Sequence, residues 1–373
     1  MISSTKEKLA LENMKRTPLY QIQCDAKAKM VPFGGWEMPV QYTGIVDEHK
    51  AVRSRAGLFD VSHMGEFEFK GSRARDLVQY LTANDIDRLG VGRGQYSMFL
   101  NENGGTIDDI IVYRTGKTTY LIVVNASNID KDWAHVQSVT GSFDQVDVQN
   151  RSNDFALLAL QGPTAEVVLS PIVDRDLSEI GLFRIRTAQI AGMPVRIART
   201  GYTGEGRKGF EIFTRPEDAP AIWEMLQSSD QVSPVGLGAR DTLRIEASLP
   251  LYGHELDDET SPLEAGLDIF VWQSGDFIGA EKLAEQRANG LDRNLVMLEM
   301  IDRGIPRQGY EIHDDSNNAI GLVTSGTVAP WIEKNVAMAY VSPAHSEIGK
   351  KLFVTIRNRS LQCHVVPRPF FKR

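Results

Sequence analysis

Two adjacent aspartates, Asp108 and Asp109, stand in an otherwise apolar run over residues 106–114. The run predicts a β-strand, and because side chains alternate faces along a strand, Asp109 shares a face with Ile111 and Tyr113. A carboxylate among apolar neighbours is costly unless it is paired, and its pKa rises toward the range that suits acid–base catalysis. The pattern fits a catalytic carboxylate or a structural cap, and periodicity does not say which aspartate faces a site.

Arg240 and Arg244 occupy positions i and i+4 of a predicted helix over residues 239–247, so they share one face. Two like charges in this arrangement destabilise a helix mildly unless an anion lies between them. A bound anion would remove the repulsion, and so would the nearby carboxylates of Asp241 and Glu246. From these residues alone, relief by the nearby carboxylates is favoured over a bound anion.

A glycine-rich loop with one aromatic residue lies upstream, in the run TGYTGE over residues 200–205. Tyr202 between glycines predicts a close-approach turn, whose ring either stacks on a flat ligand or fills a gap in the core. Residues 204–209 also match the dinucleotide pattern GxGxxG, but residues 210–213 (FEIF) predict a strand where that pattern needs a helix. A nicotinamide cofactor is therefore disfavoured.

Composition excludes several classes of protein. The chain has 373 residues, and Lys+Arg 41 against Asp+Glu 49 gives a net charge of −8, which disfavours a general nucleic-acid binder. The two cysteines, Cys24 and Cys363, are too few for a disulfide scaffold, and the seven histidines lack metal-ligand spacing. No apolar run approaches the ~18 residues that a membrane span needs. We expect a cytoplasmic protein without a metal site.

Strand-like and helix-like segments alternate along the chain and must position these residues. Apolar residues at helical spacing predict a helix over 72–81, and alternation predicts strands over 95–100, 106–114 and 119–124. A helix is expected after Ser127 as N-cap, and a polar break over 141–154. Short strand-like segments beyond residue 293, with glycine and proline between them, predict a small β-barrel or sandwich.

Several longer motifs occur in order, and with them the chain resembles the glycine cleavage T-protein (aminomethyltransferase) family over about residues 17–373. The motifs are TPLY (17–20), FGGWEMPVQY (33–42), FDVSHMG (59–65), NGGTIDD (103–109), LALQGP (158–163), TGYTGE (200–205), ARDTLR (239–244), LYGHEL (251–256) and SGT (325–327). Each is modest alone, and their number and order carry the resemblance.

The resemblance implies an α+β fold with three domains in a ring-like, cloverleaf arrangement around a central folate channel. Two α/β lobes and a C-terminal small β-barrel are expected. The implied domains are residues 1–54 plus 153–275, which bind folate, an inserted domain over 55–152 that carries Asp109, and the barrel over 276–373.

The implied reaction moves the methylene carbon of an aminomethyl group, carried on lipoylated H-protein, to tetrahydrofolate. The products are 5,10-methylenetetrahydrofolate, ammonia and dihydrolipoyl H-protein. Tetrahydrofolate is thus the expected co-substrate, the lipoyl group arrives on H-protein, and a monomer without nucleic-acid or membrane partners is expected.

The resemblance also assigns roles to single residues. Asp109 matches the family's functional aspartate, which orients folate and assists proton movement, and Glu211 matches the glutamate that grips the pterin. Arg240 matches a substrate-binding arginine. The other residues expected to contact folate or substrate are Met64, Tyr96, Ile111, Tyr113, Asn125, Tyr202 and Phe371.

Three positions depart from the family's usual pattern. Gly206–Gly209 lengthens the loop before Glu211, and a longer loop can displace this glutamate from its usual position. Gln23 stands where a histidine is usual, and Phe371 where a tyrosine is frequent. Two other functions stay open: a folate-dependent demethylase of the same superfamily, and a non-enzymatic folate-binding protein of iron–sulfur assembly, whose characteristic lysine-glycine-cysteine-tyrosine motif is absent.

Overall fold

The computed structural model describes residues 14–372. Its helices are α1 Tyr20–Asp25, α2 Ile45–Ser54, α3 Ala74–Leu81, α4 Ile129–Thr140, α5 Ala165–Leu169, α6 Ala219–Gln227, α7 Leu237–Glu246 and α8 Ala280–Asn289. None of the helices in this range is long and apolar enough to cross a membrane. Residues 1–13 of the first predicted domain and Arg373 of the last lie outside the described residues.

The strands form two open sheets, one hairpin sheet and one barrel. They are β1 Lys29–Phe33, β2 Trp36–Gln41, β3 Ala56–Asp60, β4 Gly65–Gly71, β5 Arg93–Leu100, β6 Thr106–Gly116, β7 Thr119–Val124, β8 Val146–Asn150, β9 Ala156–Gln161, β10 Ile185–Ile190, β11 Met193–Ala198, β12 Gly209–Thr214, β13 Val232–Pro234, β14 Asn294–Met300, β15 Glu311–His313, β16 Ala319–Ala329, β17 Lys334–Val341, β18 Lys351–Ile356 and β19 Arg359–Val366. Strands β1 and β2 pair as a hairpin, and the open sheets have the orders β10-β11-β12-β9-β3-β13 and β5-β6-β7-β4-β8. The remaining strands close a barrel in the order β14-β17-β16-β15-β18-β19.

One compact unit comprises the described residues up to Glu68, Val123–Trp133 and Gln149–Asp241. It contains the six-stranded sheet, in which β9 pairs antiparallel with both β3 and β12. Side chains alternate between the two faces of these strands. Leu58, Leu158 and Ile212 therefore face the hydrophobic core on one side, which leaves the other face free to carry polar groups.

The other compact unit comprises Phe69–Ile122, Ala134–Val148 and the described residues from Thr242 onward. The barrel has its own interior core, to which Leu298, Ile312 and Val354 contribute. A second core holds Met98 and Leu100 of β5 together with several residues of 252–291. Strand β5 pairs antiparallel with β6, the strand that carries the two aspartates, so this core fixes the backbone next to them.

The mixed α and β class predicted from the sequence is confirmed, and the C-terminal region is a closed barrel rather than a sandwich. The polar stretch predicted as a break contains β8, and Ser127 lies inside a 3-10 turn that precedes α4 rather than capping it. Both differences arise because tertiary pairing and a short turn override local propensity. The division into three domains stays a prediction.

Gly162, which follows β9, tests how tightly the six-stranded sheet packs against the end of α2. Its φ is +130°, and a Cβ there would lie 2.3 Å from the carbonyl oxygen of Arg55 and 2.5 Å from that of Val52. We expect Gly162→Ala to lower the free energy of unfolding in urea by about 3 kcal/mol or more, from overpacking and backbone strain together.

Gly192→Ala is the matched control, because its φ is +82° but a Cβ would meet nothing within 4 Å. Its expected cost is about 1–2 kcal/mol, from the left-handed backbone alone. Equal losses in the two variants would show that the close contacts at Gly162 are not what destabilises the sheet.

Candidate functional site

A small cavity lies on the face of the six-stranded sheet opposite the core. Neighbouring strands supply Phe59, Ala159 and Glu211, which are adjacent in the pairing register. The loop between β11 and β12 supplies Tyr202, and α7 supplies Arg240. Three of the residues predicted from the sequence, Tyr202, Glu211 and Arg240, are therefore brought together around one cavity.

Gln161, at the end of β9, ties the cavity wall to this loop. Its amide nitrogen donates a hydrogen bond to the carbonyl oxygen of Thr200 at 3.0 Å, and its Oε1 accepts one from the Thr203 hydroxyl at 2.9 Å. A Cβ at Gly201 would lie 1.9 Å from Gln161 Oε1, and one at Gly209 would lie 2.4 Å from it. Gly201 and Gly209 thus let the backbone pack directly on the Gln161 side chain.

The carboxylate of Glu211 projects from β12 in register, although the loop before it is longer than the family's usual pattern. Glu211 pairs with Ala159 of β9 and Ala198 of β11, and it accepts a hydrogen bond from the Thr200 hydroxyl. The extra residues are taken up by a 3-10 turn over Gly206–Lys208. The insertion therefore does not displace the glutamate from the cavity.

Glu66 of β4 is a second carboxyl close to Glu211. It is 1% exposed, and its Oε2 has no hydrogen-bond partner among residues 14–372. Burial raises the pKa of Glu66 well above its usual range, and the charge of Glu211 raises it further. The protonated form of Glu66 is favoured by its burial and by the nearby second carboxyl.

A cation and an aromatic ring face each other on the same cavity. The Arg240 guanidinium lies 5.4 Å from the centroid of the Tyr202 ring, within the range of a cation–π contact. His63 is 1% exposed, with its ring edge-on to Phe33. Burial lowers the pKa of His63 to about 3, helped by the charge of Arg240, so the imidazole is neutral. This part of the cavity favours an anionic or electron-rich flat ligand.

Two further predicted residues belong to the same compact unit but lie outside the lining of this cavity. Met64 follows β3 in a turn closed by its own N–H, which donates to the Val61 carbonyl at 3.1 Å. Asn125 precedes a 3-10 turn and accepts a hydrogen bond from the Asn128 N–H at 2.9 Å through its carbonyl oxygen. Both side chains are half-buried.

The second compact unit holds the predicted catalytic carboxylate. Asp109 on β6 is half-buried, and the Tyr96 hydroxyl of β5 donates a hydrogen bond to its Oδ2 at 3.1 Å. The Tyr96 ring packs edge-on against Phe270, with centroids 5.0 Å apart. Asp108 faces the other way and is fully buried. The structure thus distinguishes the two aspartates: Asp109 has the partly open position and a hydroxyl that fixes its orientation.

The remaining predicted residues of this unit lie on β6 and in the segment after β19. Ile111 pairs with Tyr96 in the β5–β6 register and shares the face of Asp109. Tyr113 is buried, and its ring covers Gly94, where a Cβ would lie 2.6 Å from the ring. Phe371 is half-buried near the C-terminus, and its N–H donates to the Glu246 carbonyl at 2.9 Å.

Arg244 has partners that helix spacing did not indicate. It forms a buried ion pair with Glu255 at 2.8 Å and donates to the Ser325 hydroxyl at 2.7 Å. The relief by Asp241 or Glu246 that the sequence favoured stays a prediction. Glu255 comes from the loop after α7, which helix spacing does not address.

Sequence reasoning missed the polar residues that support the cavity: Glu66, Gln161 and Thr200. Glu66 sits in an alternating polar–apolar strand, a pattern that predicts solvent exposure for its charged residues. Its burial follows from contacts on both faces of β4, which local alternation does not reveal. Gln161 carried one usable signal, because a polar residue closing the buried strand LALQ needs partners for its amide.

Comparison with known proteins gives a consistent result over nearly the whole chain. The family pattern described as GCVT N-terminal domain matches residues 19–274, and that of the glycine cleavage T-protein C-terminal barrel domain matches residues 293–372. An aminomethyltransferase of Desulfitobacterium hafniense is 48% identical over 367 residues, covering 97% of this chain and 100% of that protein.

Other relatives agree. An aminomethyltransferase of Symbiobacterium thermophilum is 48% identical over 371 residues, covering 97% of this chain and 98% of the relative. The crystal structure of glycine cleavage system aminomethyltransferase T from Bartonella henselae superimposes with a TM-score of 0.91 at 35% identity. That match covers 96% of this chain and 98% of the other.

The buried neutral His63 predicts a pH dependence of stability. Unfolded His63 takes up a proton below its ordinary pKa of 6.5, whereas folded His63 stays neutral down to about 3. Protons therefore favour the unfolded state in this window, and each pH unit of acidification removes up to about 1.4 kcal/mol from the free energy of unfolding.

Urea unfolding of the wild type and His63→Gln at about pH 7 and about pH 5.5 measures this effect. We expect the variant to lose about 1 kcal/mol less than the wild type on acidification, because glutamine does not titrate. Comparing the two proteins at the higher pH gives the packing cost of the substitution separately. Parallel pH profiles would mean that the pKa of His63 is the same in the folded and unfolded protein.

Proposed function

The chain belongs to the glycine cleavage T-protein family and is an aminomethyltransferase of the glycine cleavage system, and we propose tetrahydrofolate as its one-carbon acceptor. The donor in this proposal is the aminomethyl group on the lipoyl arm of H-protein. The S–CH2 and CH2–NH2 bonds break, and the carbon becomes bonded to N5 and N10 of tetrahydrofolate. The two N–H protons that leave folate balance the formation of ammonia and of the free lipoyl thiol.

The cavity around Glu211 is the observation that carries the folate proposal. A carboxylate held by the Thr200 hydroxyl can accept two parallel hydrogen bonds from the N–H groups of a pterin ring. Tyr202 and Arg240 add a flat aromatic surface and a cation beside it. These groups therefore suit a planar heterocycle whose edge carries N–H donors, and we assign Glu211 to recognition of the pterin.

Asp109 is the residue to which we assign proton handling. The departing amine must gain a proton to leave as ammonia, and a positioned acid of suitable pKa accelerates such a step by about 10²–10⁴-fold. The hydrogen bond from Tyr96 fixes the orientation of the Asp109 carboxylate. We assign contacts with folate or substrate to the remaining predicted residues, namely Met64, Tyr96, Ile111, Tyr113, Asn125 and Phe371.

The proposal also extends to partners and place of action. Lipoylated H-protein is the proposed macromolecular partner, since the donor carbon has to arrive on its lipoyl arm. The reactive methylene carbon is lost to water if it is released, so direct transfer between two bound partners is advantageous. We propose that the protein acts as a monomer in the cytoplasm.

Asp109→Asn tests the assignment of proton handling. The amide keeps the shape of the side chain but cannot donate a carboxylic proton, so we expect kcat to fall by about 10²–10⁴-fold. The assay uses aminomethylated H-protein and tetrahydrofolate, and it measures methylenetetrahydrofolate and ammonia together. Tyr96→Phe removes only the orienting hydroxyl and is expected to cost about 3- to 10-fold.

A wild type that turns over while Asp109→Asn keeps a similar rate would contradict the role of Asp109 and leave the reaction intact. Bound folate without product in the wild type would instead favour one of the other folate-dependent functions.

Glu211→Gln tests recognition of the pterin separately from chemistry. Losing the charge-assisted hydrogen bonds should raise KM for tetrahydrofolate by about 10- to 100-fold, while kcat at saturation changes much less. Steady-state kinetics with varied tetrahydrofolate measures this. Glu217→Gln is the control, because Glu217 is an exposed carboxylate in the same compact unit. A fall in kcat with unchanged KM would contradict a binding role for Glu211.

A further inference from the structure

The loop between β11 and β12, residues 199–208, has two parts with different surroundings. Its first part carries Tyr202 and Thr203, which line the cavity around Glu211. Its second part, Gly206–Lys208, is an exposed 3-10 turn and contains the residues that lengthen the loop. Glu205, at the junction between the two parts, is 2% exposed.

Arg53, in the last turn of α2, holds this junction through hydrogen bonds. Its Nη1 donates to the carbonyl oxygen of Thr203 at 2.6 Å and to Oε1 of Glu205 at 2.8 Å. Both side chains of the ion pair are 0% exposed. A buried ion pair is a poor source of net stability, because the loss of hydration offsets most of the attraction. Net stability alone therefore does not explain why an ion pair is buried at this point.

Gln161 also contacts Thr203, through the threonine side chain. The Thr203 hydroxyl donates to Gln161 Oε1, while the Thr203 carbonyl accepts from Arg53. Thr203 is thus fixed through both its side chain and its backbone, and Tyr202 is the residue directly before it. Gly201, directly before Tyr202, packs with no spare space against Gln161. The backbone of Tyr202 is accordingly fixed by its neighbours on both sides, and its ring contacts Arg240.

The exposed turn is tied down separately. Arg199 donates to the carbonyl oxygen of Arg207 at 2.6 Å, and the Gly162 N–H donates to that of Lys208 at 2.8 Å. With Glu205 held by Arg53, the extra residues are confined between two fixed points. This confinement explains how the loop is longer while Tyr202 and Glu211 both stay at the cavity.

We propose that Arg53 is a positioning residue for aminomethyl transfer: through Thr203 and Glu205 it fixes Tyr202 at the cavity and so sets the affinity for tetrahydrofolate. Arg53 does this without touching the ligand itself. The link to folate rests on the proposed function, whereas the effect on the loop does not. Arginine suits the role because the N–H bonds of Nη1, which reach both acceptors, have fixed directions in the guanidinium plane. A lysine ammonium rotates freely and does not reproduce these directions.

The double variant Arg53→Met/Glu205→Leu separates positioning from stability. Replacing both charges by apolar groups of similar size leaves no unpaired buried charge, so we expect the thermal midpoint to stay near that of the wild type. The Thr203 carbonyl nevertheless loses its donor, and the junction is released. Arg53→Lys keeps the charge but not the fixed N–H directions of the guanidinium. Its cleavage rate and folate affinity should lie between those of the wild type and the double variant.

Two measurements on the full chain report the result. Native-state trypsin digestion, with cleavage sites mapped by mass spectrometry, follows cutting after the exposed Arg207 and Lys208. Fluorescence titration gives the dissociation constant for tetrahydrofolate. We expect the double variant to be cut at these sites about 10- to 100-fold faster and to bind tetrahydrofolate about 10- to 100-fold more weakly.

Arg55→Met is the matched control. Arg55 follows the same helix but donates to the Asp230 carbonyl and the Ser233 hydroxyl, away from the loop. It should match the wild type in both measurements.

Unchanged cleavage at Arg207 and Lys208 in a folded double variant would overturn the proposal. Faster cleavage with unchanged folate affinity would also overturn it, since Tyr202 would then be positioned without Arg53. If the double variant does not fold, Arg53→Lys decides between the same outcomes. A wild type that does not bind tetrahydrofolate refutes the proposed function, and faster cleavage in the variant would still support the effect of Arg53 on the loop.

Discussion

The hydrogen bonds of the buried Gln161 amide are the interactions on which the cavity around Glu211 depends. The residue is 2% exposed, so both ends of its amide need partners inside the protein. The nitrogen contacts the Thr200 carbonyl, the oxygen contacts the Thr203 hydroxyl, and two glycines leave the space for this packing. Thr200 in turn orients Glu211. One side chain at the end of a core strand therefore organises the loop and, through it, the carboxylate.

Titratable groups in and near the cavity have different surroundings, and these surroundings affect their pKa values differently. Burial raises the pKa of Glu66 well above its usual range, whereas Glu211 is half-buried and accepts a hydrogen bond from the Thr200 hydroxyl. His63 is neutral beside the Arg240 cation. Glu211 and Arg240 line the cavity and are available to a ligand, whereas Glu66 and His63 lie outside this lining. This separation by environment is the general way in which proteins assign different roles to chemically equal residues.

Local pattern was sufficient where the relevant spacing is short. Strand alternation placed Asp109 with Ile111 and Tyr113, and the residues after GxGxxG correctly predicted β12 rather than a helix. Long-range partners were out of reach, because they depend on how distant elements pack. Arg53 finds Glu205 across 152 positions, and Arg244 pairs with Glu255 from a following loop. The burial of Glu66 was missed for the same reason.

The two largest β-structures of the chain end in different ways. The barrel closes on itself and has no edge strand, while the six-stranded sheet stops at β13, which is only three residues long and ends in Pro234. A short edge with a proline offers few backbone donors to another strand. Neither the barrel nor this margin of the sheet can easily template the addition of a foreign strand. At these two places the backbone itself limits edge-to-edge aggregation, independently of surface charge.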